Sequence, residues 1–316
     1  MKYAAKRVAM LLLTMVIVSF LAFVAFSIIS GDPAEIMLGT QATPGRVAAL
    51  REEMGLNRPL LVRYADWLTG FFTGDLGMSY SYKQPVGELI APKVMVTLCL
   101  SLVSFLLITV VSIPLGLLSA GRERGRLDGL RTALNQLCMA VPPFFTGILL
   151  TFLFSTTLKW FTHGQFPGLG EDFWGSLKYL MFAAVSISIP RIAMTVRMLR
   201  STVMSEMNKD YVRTAISRGN DRKAVLRRHV LKNSLTPVVT FLAQTMAEIV
   251  AGSIVVEQVF AIPGLGRLLV ASISNRDYPV VQAIVVILAF WVVLAGTIAD
   301  LLNQQIDPRL KLGGRR

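Results

Sequence analysis

The run VMVTLCLSLVSFLLITVVSIPLGLLSA, from Val94 to Ala120, contains no charged residue. At about 1.5 Å of helix rise per residue it is longer than the roughly 30 Å hydrocarbon core of a bilayer, so it reads as a membrane-spanning helix. Five further runs approach or pass the same length: Val8 to Ser30, Leu130 to Leu158, Ser176 to Met198, Leu235 to Val256 and Val280 to Leu302. In the fourth, Pro190-Arg191 interrupt the apolar pattern, and the missing backbone donor of Pro190 marks the expected place for a kink. Composition agrees, because 53% hydrophobic residues, 16% charged residues and a mean hydropathy of +0.58 are too apolar and charge-poor for an ordinary soluble domain. The expected fold class is all-α, a polytopic membrane protein with six transmembrane helices forming a single domain over residues 1–316.

Lys2, Lys6 and Arg7 ahead of the first run resemble the start of a signal peptide. The apolar stretch is longer than a signal core, however, and Ser30-Gly-Asp-Pro offers no small-x-small cleavage site, so an uncleaved helix is expected. Between residues 199 and 234, basic residues from Arg200 to Lys232 outnumber Glu206, Asp210 and Asp221; Arg122, Arg124 and Arg126 mark the second-to-third connection, and Arg309, Lys311, Arg315 and Arg316 the tail. The segment from Lys159 to Gly175 instead carries Glu171 and Asp172 against one lysine. The positive-inside rule therefore places both termini and the long basic connection on the cytoplasmic side of the membrane. The formal charge of +13 follows from that topology and from anionic membrane lipid, and a nucleic-acid partner has no independent support.

Residues 31–93 form an extracytoplasmic insertion. Thr43-Pro44 read as an N-cap followed by proline at the first helical position, with Gly55 closing a short helix. After Pro59, Leu60, Tyr64, Trp67, Leu68 and Phe71 recur at helical spacing. This stripe suits either the headgroup region or the ends of the membrane helices.

The basic connection contains Asp210-Tyr-Val-Arg-Thr-Ala-Ile-Ser-Arg-Gly219, followed by Lys232-Asn-Ser-Leu-Thr-Pro237. On its residues alone it is a solvated, basic amphipathic helix ended by a glycine C-cap. It also resembles the EAA loop of ABC-transporter permeases, which forms the coupling helix seated in a groove of the ATPase. Arg213-Thr214-Ala215 stand where Glu-Ala-Ala is usual, with Gly219 at the expected step after Ala215; Arg213 and Thr214 depart from the general pattern. The resemblance extends along the chain in order: Gly31-Asp-Pro-Ala-Glu35, Gly55-Leu-Asn-Arg-Pro-Leu-Leu61, Gly74-Asp-Leu-Gly-Met-Ser79, Pro85-Val86, Gly252-Ser-Ile-Val-Val-Glu-Gln-Val-Phe260, Pro263-Gly-Leu-Gly266, Asn275-Arg-Asp-Tyr-Pro279, Asp300-Leu-Leu-Asn303 and Asp307-Pro-Arg309. These blocks resemble the peptide/nickel importer family, and their order its first permease subunit. The resemblance implies a type I importer permease for peptides or a similar small solute, a nickel chelate included. Its implied partners are a second permease, two ATP-binding subunits and an extracytoplasmic solute-binding protein. Asp210, Tyr211, Arg213, Thr214, Ala215 and Gly219 would couple to the ATPase within residues 199–234.

Gly264-x-Gly266 lacks the spacing and lysine of a phosphate loop, so no ATP site and no cofactor are expected in the chain. No Ser/His/Asp or Cys/His signature points to catalysis, and His163 and His229 lie far apart, so no metal cluster is expected. Cys99 and Cys138 fall in membrane runs as reduced packing residues. Glu248, near the middle of the fifth run, and Glu257, near its outer end, are candidates for the translocation path; each is otherwise an interhelical hydrogen-bond partner, or for Glu257 a solvated loop residue. The rival class is an ion-gradient-driven secondary transporter or channel, which predicts paired charges at mid-membrane and broken helices.

Overall fold

The computed structural model describes residues 2–29, 32–120 and 126–306. Gly31, Arg122, Arg124, the Asp307-Pro-Arg309 block and the basic tail lie outside them. In chain order the α-helices are α1 Lys2–Ile29, α2 Pro33–Leu38, α3 Pro44–Glu53, α4 Leu60–Thr73, α5 Val86–Ala120, α6 Arg126–Ala140, α7 Pro143–Leu150, α8 Phe173–Met207, α9 Asp210–Ser217, α10 Arg222–Val225, α11 Leu231–Val259, α12 Leu265–Ser274 and α13 Tyr278–Ile306. Among the described residues the only β pairing is an isolated bridge between Met78 and Pro85.

Five helical segments are long and apolar enough to cross a membrane: Arg7–Ile28, Val86–Ala120, Phe173–Met207, Leu226–Val259 and Tyr278–Ala299. The sixth expected span is not one rod. Asp128–Ala140 and Pro143–Thr157 meet at a bend of 95°, where Pro142 is extended at φ −65° and ψ 142°. Two consecutive prolines remove two backbone donors, and Pro143 pushes Pro142 out of the helical region. By contrast, α8 runs unbroken through Pro190, as α11 does through Pro237. The helix thus breaks at Pro142-Pro143 and continues through Pro190, because a lone proline forfeits a single ladder bond that a packed helix tolerates.

The contacts divide the chain into two units, one of residues 1–97 and 263–293, the other of residues 98–262 and 294–316. In the first unit α3 follows Thr43, which makes no side-chain cap, and the turn after it holds Gly55 at φ +64°. The aromatic stripe of α4 packs on α1. Tyr64 meets Phe20 and Phe23 edge-on at 5.1 and 5.6 Å, its hydroxyl lies 2.8 Å from Ser19 Oγ, and Trp67 reaches Phe23.

The same unit joins two of the ordered sequence blocks. Asp277, fully buried just before α13, accepts from Ser79 Oγ at 2.5 Å, from the Tyr80 amide at 3.0 Å and from the Ser81 amide at 3.2 Å. Ser79 Oγ in turn accepts from the Tyr82 amide. Burial pushes the Tyr80 phenol up to about 12; the Asp277 carboxylate adds to the rise and Arg63 opposes it. The Leu265 amide at the start of α12 donates to Thr97 Oγ1 at 2.8 Å, satisfying one of the donors that a helix start leaves free.

In the second unit α6, α7 and α11 pack against α8. A Cβ on Gly116 would stand 2.7 Å from Leu199 Cδ2, and one on Gly147 would stand 3.1 Å from the Phe260 ring, so both glycines serve close packing. Gly252 of α11, by contrast, has open space in the Cβ direction. Ser188 Oγ donates to the Ser104 carbonyl and Asn135 Nδ2 to the Ala193 carbonyl. Tyr179 donates to the Phe260 carbonyl at 2.6 Å and accepts from the Gly164 amide.

Asp277→Ala is expected to destabilise the protein by roughly 3 kcal/mol, because buried donors lose a charged acceptor. Thermal unfolding in detergent would read the loss, and limited proteolysis near Ser81 would rise. Asp277→Asn retains an acceptor and should lose clearly less.

Candidate functional site

The basic segment folds as a short helix beside the end of α8. Only Asn208 and Lys209 separate α8 from α9. Val212 is buried, Ala215 is half-buried, and Tyr211, Arg213, Thr214 and Ile216 are exposed. Inside α9, Thr214 Oγ1 donates to the Asp210 carbonyl, and Arg213 faces Asp210 at 3.8 Å with both side chains solvated. A pair so exposed contributes little stability.

The helix ends in a Schellman turn. Gly219, at φ +84°, donates to the Ile216 carbonyl at 2.9 Å, while the Asn220 amide and Nδ2 both donate to the Ala215 carbonyl, at 3.4 and 3.0 Å. Positive φ is why glycine stands at this position.

The segment is tied to both long helices that flank it. Tyr211 donates to Glu206 of α8 at 2.8 Å and accepts from Asn233 Nδ2 of α11 at 3.4 Å. Lys209 also pairs with Glu206. Burial, and then the Glu206 carboxylate that accepts its hydrogen bond, raise the Tyr211 phenol above its ordinary range, while Asn233 works in the opposite direction.

The two acidic candidates of α11 lie in different surroundings. Glu248 forms an ion pair with Arg191 of α8 and keeps 53% of its side chain exposed. Glu257 is fully buried, with Ser253 Oγ 3.5 Å from its carboxylate. Arg191 was legible only as an interruption of the fourth run. A cation inside an apolar span needs an anion, and Glu248 stood near the middle of another span, so the pair could have been sought from that requirement.

Residues 112–312 match the family described as binding-protein-dependent transport system inner membrane component, and residues 1–101 match its N-terminal companion. The chain belongs to this family. It is a permease subunit of an ABC importer and a multi-pass inner-membrane protein. Among its relatives, a protein of Brucella abortus (strain 2308) named as a peptide transport system permease is 37% identical over 97% of this chain and 98% of its own length. The oligopeptide transport system permease protein AppB of Bacillus subtilis (strain 168) is 36% identical over 98% of this chain and 99% of its own. The glutathione transport system permease protein GsiC of Salmonella typhimurium is 32% identical over the same shares.

The core family match covers α9, Arg191, Glu248 and Glu257 together, and the N-terminal match covers the insertion with Ser79. The permease has two local features that a gradient-driven carrier would share, a charge pair inside spanning helices and a broken span. Kinship over nearly the whole chain decides the class between them.

Removing one partner of the Arg191–Glu248 pair should harm the permease more than removing both, since an unpaired charge in a spanning helix costs more than none. Membrane abundance of Arg191→Leu and Glu248→Leu should each fall, and the double variant should recover most of the loss. Equal losses in all three would mean that the pair carries no coupling.

Proposed function

We propose that this permease imports peptides or a similar small solute by alternating access, driven by two ATP-binding subunits, of which one docks on α9. Supporting the substrate class are the names of the relatives, which range from oligopeptide to glutathione transport. The observation that carries the docking role is the construction of α9: a capped helix with an exposed outer face, bonded through Tyr211 to α8 on one side and α11 on the other. A push on such a helix reaches both spanning helices together. These same two helices carry the Arg191–Glu248 pair, and on this reading Glu248 borders the translocation path beside a second permease, while the buried Glu257 keeps a packing role.

The reading further places both termini and α9 in the cytoplasm, and α3, α4 and the loop around Ser79 outside, where an extracytoplasmic solute-binding protein delivers the substrate. The family description itself makes this transport dependent on a binding protein. The permease acts as one domain without an ATP site of its own, since Gly264-x-Gly266 opens the short helix α12 and lacks a phosphate-loop lysine.

Two experiments test these statements. Ala215→Asp places a charge in the docking contact, and Gly219→Val forces a β-branched residue to φ +84°. Neither alters a spanning segment, so abundance should hold while uptake, substrate-stimulated ATP hydrolysis and co-purification of the ATPases fall together. Normal uptake with intact co-purification in both variants would remove the coupling role. Cysteine labelling of intact cells should modify Glu52→Cys from outside and Asn220→Cys only after permeabilisation, and the reverse pattern would invert the orientation.

A further inference from the structure

Between α5, α6 and α8 lies a cavity of about 640 Å³ whose walls include Leu118, Leu134 and Ile192. Arg131, Arg197 and Arg200 line it as well. Arg200 is held by Asp128 at 2.8 Å, whereas Arg131 and Arg197 form no ion pair among the described residues. Asp128 also feels the charge of Arg131, so three guanidinium groups share one carboxylate and a surplus of positive charge stands against a largely apolar wall.

The depth of these groups in the membrane follows from helix length. Roughly 20 helical residues cross the hydrocarbon, and counted from Ser176 that distance ends next to Arg197. Arg131 lies near the start of the broken third span, and Leu118 near the end of α5, so the other two walls come from the same end of their spans. The guanidinium groups stand at headgroup level, with the leucine and isoleucine walls reaching into the acyl region.

We infer that this cavity binds one anionic diacyl phospholipid, its phosphate held by Arg131 and Arg197 and its acyl chains laid along Leu118, Leu134 and Ile192. A soluble anion would leave the apolar walls in water. A zwitterionic lipid would bring its ammonium or choline group beside a cluster with surplus positive charge, which disfavours it. Basic pockets between spanning helices hold anionic headgroups for these reasons. The inference rests on the chain spanning a membrane and is independent of the role of α9, so its test can fail without touching the coupling assignment.

The test uses the assembled transporter in mild detergent, exchanged with equal amounts of phosphatidylglycerol and phosphatidylcholine and then analysed by native mass spectrometry. The wild type should retain phosphatidylglycerol about tenfold more than phosphatidylcholine. The double variant Arg131→Gln/Arg197→Gln should bring the two lipids near parity. Leu134→Trp, which fills the apolar wall and leaves the charges, should lower retention of phosphatidylglycerol, and millimolar inorganic phosphate should not displace the bound lipid. Equal retention of the two lipids by the wild type, unchanged phosphatidylglycerol retention in both variants, or displacement by phosphate would overturn the inference. So would a cross-link from Leu134→Cys to the second permease in a complex that retains no lipid.

Discussion

Within hydrocarbon, a backbone donor without an acceptor or a charge without a counter-charge costs far more than in water, and the spanning helices of this permease are arranged under that constraint. The serines and threonines in the helices commonly return their hydroxyls to carbonyls one turn back, as Ser104 does to Leu100 and Thr195 to Arg191. Tyr179 satisfies two backbone groups at once, the Phe260 carbonyl and the Gly164 amide. Where two prolines in succession remove two donors, the span breaks instead, at Pro142-Pro143.

The same constraint gives meaning to the charges that remain. Arg191 and Glu248 neutralise one another between α8 and α11, yet the carboxylate stays half-exposed on the chain. Such a pair is compatible with a polar passage or with a partner's polar surface, and poorly compatible with lipid. Because α9 is bonded to both helices that carry the pair, docking and transport would act on one mechanical unit. A Schellman-capped helix holds its shape better than a loop, and on the proposed reading Gly219 and Asn220 would stiffen the docking helix without any contact with solute.

Outside the spans, Asp277 performs a comparable service for the insertion. A loop carrying Ser79, Tyr80 and Ser81 has few apolar residues with which to hold a shape, and one buried carboxylate organises three of its donors. This anchors the block that begins at Gly74 to the block that begins at Asn275, about two hundred positions later in the chain.

By itself the sequence determined the class, five of the spanning runs and the basic helix between the fourth and fifth that is proposed for docking. Each of these depends on local features: run length, proline and glycine positions, and the distribution of basic residues. The blocks around Ser79 and Asp277 were visible as separate family signatures, and Glu248 as an isolated acid. Tertiary structure alone decided that Ser79 meets Asp277, that Arg191 is the partner of Glu248 and that Tyr211 bridges α8 and α11. Hydrogen bonds and ion pairs between distant segments leave no period in a sequence, because either partner is an ordinary polar residue until folding brings the other within reach. It also decided which proline breaks its helix, since Pro190 is held within packed neighbours while Pro142-Pro143 leave two donors missing in succession. That outcome depends on whether the surrounding helices can compensate, and composition along a single run carries no information about them.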